Sequence, residues 1–161
     1  MIKKLLISVF TVAMLAVTGC KTPIDVDKHL SYAKFETECL GVAGDGTQTL
    51  RVWGEGKNRQ EAIDQAKRNA VRDVIFKGIT AGSGECNKRP LVTEVNAHEK
   101  YEDYFNAFFS QGGAYNKYVT LDEKRTSRIR AKGSTLEAYG VVVKVDRAAL
   151  RQRLNDDNVI D

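Results

Sequence analysis

Beyond residue 20 the sequence has no apolar run long enough to cross a bilayer, so no second membrane anchor is written into it. Soft metal ligands are scarce: two His (His29 and His98) and three Cys do not make a zinc set. His98-Glu99 opens like the metalloprotease pattern H-E-x-x-H, but residue 102 is Glu. No Ser stands in G-x-S-x-G. Gly54-Glu55-Gly56 precedes a helix, yet the third glycine of a dinucleotide loop would fall at Arg59, and there is no Gly-Lys-Ser/Thr. The two glycines are read instead as a tight strand-to-helix turn. No repeat of 20–50 residues is present, which excludes a solenoid. No cofactor is expected.

The first residues do carry a signal. Lys3 and Lys4 are followed by an apolar run from Leu5 to Val17, interrupted only by Ser8 and Thr11. The run is short for a membrane span and has the flanks of a secretory signal. It closes on Val17-Thr18-Gly19-Cys20, a branched residue, a small one, Gly and Cys, which looks like a lipobox. Small residues let the chain enter the peptidase extended, and the thiol is the nucleophile that takes diacylglycerol. The expectation is a signal peptide over 1–19 and lipidation of Cys20. Diacylglycerol and acyl chains on Cys20 then hold the protein to a membrane more firmly than a single chain could. Lys21 stands where Asp would mark inner-membrane retention, which directs the anchor to the outer membrane, with the domain facing the periplasm or the cell surface.

Removing Lys3 and Lys4 leaves 23 basic against 21 acidic residues, a charge that gives no mandate for nucleic acid. With 42% apolar and 29% charged residues the chain has ordinary globular composition, enough for one core. Residues 20–33 read as a polar tether, 34–155 as a single domain and 156–161 as a polar tail. Cys39 and Cys86 remain after lipidation. In an exported protein they either pair or stand as two separate thiols, since spacing alone does not show proximity.

Alternation predicts strands over Phe35–Val42 and Thr47–Gly54, joined at Ala43-Gly44-Asp45-Gly46. Leu50, Val52 and Gly54 fall on one face of the second strand, with Arg51 and Trp53 on the other. Asn58 and Glu61 form a capping-box pattern for a helix that ends at Lys77-Gly78. Its apolar stripe is Ala62, Ile63, Ala66, Ala70, Val71, Val74 and Ile75, and the alanines make a flat ridge suited to lying close on a sheet. Ala81–Pro90 is a loop. A second helix covers Ala97–Ser110, with Tyr101, Phe105, Phe108 and Phe109 on its core face and Tyr104 at its flank. Long strands over Lys117–Ala131 and Thr135–Val145 follow, then a helix capped by Asp146 over Arg147–Leu154. The fold class is α+β: an antiparallel sheet from two hairpins, in the order ββααββα, with two to three helices packed on it.

Val52-Trp53-Gly54-Glu55-Gly56, the helix Glu61-Ala62-x3-Ala66-x3-Ala70-x3-Val74 and the Val-rich segment Tyr139–Val145 together resemble a family of small bacterial envelope lipoproteins. The same pattern is similar to the N-terminal domain of flagellar assembly protein T. The resemblance spans Thr47–Leu154 and implies an envelope protein that binds or scaffolds other envelope components. It implies no catalytic residue.

Lys124, Arg128, Arg130 and Lys132 alternate along the Lys117–Ala131 segment and would share one strand face. They read either as a patch for anionic partners or as a solvated face whose charges discourage edge pairing. A Cys86–His98 pair is the one nucleophile–base combination the sequence offers. The functional expectation is a non-catalytic, membrane-anchored lipoprotein with an envelope protein partner. Alternatives in other classes are a regulator binding peptidoglycan or its synthases, and a thiol enzyme using Cys86.

Overall fold

The computed structural model describes residues 35–125, 129–132 and 137–160. The expected signal peptide, lipidation site Cys20 and tether lie outside the described residues.

Strands β1 (Glu38–Val42) and β2 (Gln48–Gly56) form the expected antiparallel hairpin, with a register irregularity between Cys39 and Gly41. The Ala43–Thr47 connection is closed by Gly46 N–H to the Ala43 carbonyl and by Thr47 N–H to the Asp45 side chain, both at 2.9 Å. Gly46 takes φ +84°, which suits a residue with no Cβ.

Helix α1 (Arg59–Phe76) begins where its cap predicts. The Asn58 side chain accepts from Glu61 N–H at 3.0 Å. Glu61 reaches back to the Lys57 N–H at 2.9 Å, one residue earlier than a standard capping box. All seven residues of the predicted stripe are buried, none above 3% exposure. They lie on Leu50 and Val52 of β2 and on Val141, Val143 and Val145 of β6 (Glu137–Val145). In β2–β6 pairing Leu50 meets Val143 and Val52 meets Val141, so the two strands present one apolar face.

Gly54 and Gly56 are not a turn. Both lie within β2 and neither has a positive φ. A Cβ at Gly54 would stand 2.0 Å from the Ala62 carbonyl oxygen, and one at Gly56 2.6 Å from the Ala62 nitrogen. They are glycines because the helix backbone lies directly on the strand there. The alanine ridge supplies the other half of that close approach.

The sheet is mixed rather than wholly antiparallel. A two-residue strand, β3 (Ala81–Gly82), lies in the predicted loop and pairs in parallel with β1. The strand order is β3-β1-β2-β6-β4, where β4 is Val119–Leu121. The predicted long strand over Lys117–Ala131 is interrupted. Lys117 belongs to a 3-10 turn (Ala114–Tyr118), β4 pairs with Val143–Val145, and β5 (Ile129–Lys132) pairs with Glu137–Gly140. Since β2 occupies one whole edge of β6, β4 and β5 share the other. Asp122 ends β4: its N–H bonds Val142 at 2.8 Å, then its carbonyl and side chain both accept from Arg125 N–H.

The second predicted helix is two. Four-residue α2 (Ala97–Lys100) and α3 (Glu102–Phe108) are separated by Tyr101, whose φ of −116° and ψ of 34° leave the helical region. The break lets α3 turn its rings inward: Phe105, Phe108 and Phe109 are buried, and Phe105 sits edge-on to Phe76 of α1 at 4.7 Å. Helix α4 (Arg147–Asp156) is capped by Asp146, which accepts from Ala149 N–H at 2.8 Å. The expected polar tail is instead part of the fold. Asn158 turns the chain at φ +55°, Val159 N–H bonds the Leu154 carbonyl at 2.8 Å, and Val159 is buried in the core.

Candidate functional site: an arginine-lined cleft

A helix ends with carbonyls that its own backbone cannot satisfy. In α1 the Asp73 carbonyl accepts from Lys77 and Gly78 N–H. The next two carbonyls receive donors from a distant loop: Leu91 N–H to Val74 at 3.2 Å and Val92 N–H to Ile75 at 2.8 Å. Gly78, at φ +76°, leaves room for that loop, since a Cβ there would lie 2.0 Å from the Lys88 carbonyl oxygen. Residues 87–94 are thereby fixed alongside the end of α1.

This loop forms one wall of a cleft of about 640 Å³. Arg147 and Arg151 of α4 and the returning residues Val159 and Ile160 form the other wall, with Lys100 and Tyr101 at the α2–α3 break. Arg147 and Arg151 are four residues apart and so share a helix face. Arg147 is half-buried and donates through Nη2 to the Arg89 carbonyl at 3.0 Å. Burial first, and the charge of Arg151 second, lower its guanidinium below its ordinary pKa. Among the described residues Glu94 is the one carboxylate lining the cleft, and Lys100 Nζ holds both its oxygens at 2.9 and 3.2 Å. Among the described residues, Arg89, Arg147 and Arg151 have no carboxylate partner.

A second cavity, about 600 Å³, lies beside the N-terminal half of α1 and is lined by Glu55, Glu61, Asp64, Arg68, Phe109 and Tyr115 among others. Two of its three acids are engaged locally: Glu61 caps α1 and Asp64 accepts from Gln60 at 3.1 Å.

Cys39 and Cys86 are joined in a disulfide, with Cα atoms 5.9 Å apart. Cys39 is on β1, and Cys86 follows β3 in the loop that β3 pins beside β1. Both are buried. Cys86 is therefore not a thiolate here, and the Cys86–His98 pair is not assembled. The His98 ring lies against Phe76 and Phe105 at 5.5 and 6.0 Å. The basic run is not one strand face: Lys124 is exposed in the turn after β4, while Arg130 and Lys132 belong to β5. Arg128 lies outside the described residues. No helix among the described residues is long and apolar enough to cross a membrane.

Sequence reasoning did not find the arginine cleft. The i, i+4 spacing of Arg147 and Arg151 was visible, but their meeting with Arg89 depends on the loop-to-α1 hydrogen bonds, which no local pattern encodes. No known protein family, no curated protein and no solved structure matches the chain.

Proposed function

We propose that this is a non-catalytic envelope lipoprotein, held to the outer membrane by acyl chains on Cys20, whose α+β domain docks onto other envelope components. One observation carries the reading. Of three cysteines, Cys39 and Cys86 are consumed in a buried disulfide, which leaves Cys20, at the end of the apolar run, as the thiol to be acylated. A structural disulfide also suits an oxidising compartment outside the cytosol.

The test replaces Cys20 by Ala in the producing bacterium. Radiolabelled palmitate should mark the wild-type protein and not the variant, and the variant should move from the outer-membrane to the soluble fraction. In-cell crosslinking of the wild type should capture one defined envelope protein. An unlabelled wild type, or a variant still in the outer membrane, would overturn the anchor. A wild type with no specific crosslink would overturn the docking role.

A further inference from the structure

Arg147 and Arg151 stand one helical turn apart in the cleft, the first half-buried and the second, like Arg89, exposed. Like charges at close range cost free energy, more so where water is partly excluded. Arg147 is half-buried beside Arg151, and the only lining carboxylate, Glu94, is already held by Lys100. Among the described residues no free carboxylate lines the cleft, so its charge is complementary to an anionic ligand. The lining also says what accompanies that charge. Leu91, Tyr101, Val159 and Ile160 give the cleft an apolar side, and Asn87, Thr93 and Asn158 give it amide and hydroxyl groups. A small inorganic anion would answer the arginines and leave that apolar side wet. A peptide answers all three: carboxylates for the guanidinium forks, apolar side chains for the wall, and backbone groups for the amides. Val95, one residue along the chain from the lining residue Glu94, is 84% exposed.

We propose that the cleft between residues 87–94 and α4 binds a short acidic peptide segment of a partner protein, its carboxylates on Arg147 and Arg151 and its flanking apolar side chains on Leu91, Ile160 and Val95. This rests on the docking role above and names the chemistry of the docked segment.

The experiment uses the full chain, purified from membranes in non-ionic detergent, and fluorescence anisotropy. The probes are fluorescein-labelled octapeptides with two Glu set between Leu residues, and matched peptides in which each Glu is Gln. The acidic peptides should bind at least about tenfold tighter than their amide matches, and added salt should weaken them. Arg151→Glu and Val95→Asp change exposed side chains, so their thermal melts should match wild type while each weakens acidic-peptide binding about tenfold or more. Equal binding of acidic and amide peptides, or binding unchanged in both variants, would overturn the assignment. So would Arg151-dependent sedimentation with phosphatidylglycerol vesicles in the absence of peptide binding, which marks a lipid headgroup site. An Arg151-dependent dimer would overturn it in favour of a second copy of this chain. Crosslinks retained in cells by Arg151→Glu would leave the docking role standing and remove the cleft from it.

Discussion

A methyl group added at Gly54 has nowhere to go. It would lie 2.0 Å from the Ala62 oxygen, 2.4 Å from the Ala66 nitrogen and 2.9 Å from the Ala66 methyl, and the first two atoms are backbone. Gly54→Ala can be accommodated only by lifting α1 off β2, which loosens the packing of the helix stripe on the sheet. Chemical denaturation should show a loss of about 3 kcal/mol or more, the upper range for overpacking. Gly44→Ala is the control: nothing lies within 4 Å of its Cβ, and its effect should stay within about 0.5 kcal/mol. The glycine pair was visible in the sequence, but its purpose was not. A strand-end Gly-x-Gly permits either a turn or a close approach. Which of the two holds depends on where the alanine ridge of another element lands.

Helices α3 and α4 are joined by a side-chain bond as well as by packing. Tyr104 of α3 donates to Asp157 just past the end of α4 at 2.6 Å, and Arg153 holds the same carboxylate oxygen at 2.7 Å. Burial first, then the Asp157 bond and charge, raise the Tyr104 pKa above its ordinary 10.0. A raised pKa in the folded state means that the contribution is fully present below pH 10 and is lost as pH climbs toward the folded value. Tyr104→Phe should lower stability near neutrality by about 1 kcal/mol and reduce the alkaline fall in urea midpoints between about pH 10 and 12. If the midpoints of variant and wild type fall together over that range, the bond does not hold in solution. Elements with their own signals were the legible ones. Asn58, Glu61 and the three- and four-residue spacings gave α1 nearly to its ends, and Ala43–Gly46 gave the first hairpin. The aromatic segment ran continuously from Tyr101 to Phe109, but nothing local marks the break at Tyr101, because ring packing against Phe76 decides it. The Lys117–Ala131 strand failed for the opposite reason. Asp122 carries a turn propensity that β-branched and basic neighbours mask, and its side chain captures Arg125 N–H.

Across the whole molecule, the Cys39–Cys86 bond closes a loop that contains β2 and α1, its ends 47 positions apart in sequence. Such a link chiefly limits the unfolded chain. Reduction, or paired Cys39→Ser and Cys86→Ser, should lower unfolding stability by about 2–4 kcal/mol. Denaturant titrations with and without reductant would measure it, and equal midpoints would mean the bond contributes nothing. The α+β class was legible because it follows from periods along the chain. The arginine cleft was not, because it joins residues 89 and 147, 58 positions apart, through a loop that the sequence marks only by its irregularity.

That loop has a further consequence. Leu91 and Val92 belong to no helix or strand, yet their N–H groups are bonded to carbonyls of α1. Their amides can exchange with deuterium only when the end of α1 lets go of them. They should therefore exchange on the slow timescale of α1 itself, while Thr93 and Val95, a few residues on and exposed, exchange at once. A partner meeting the cleft would thus find one wall already in its final shape, with little ordering left to do on binding.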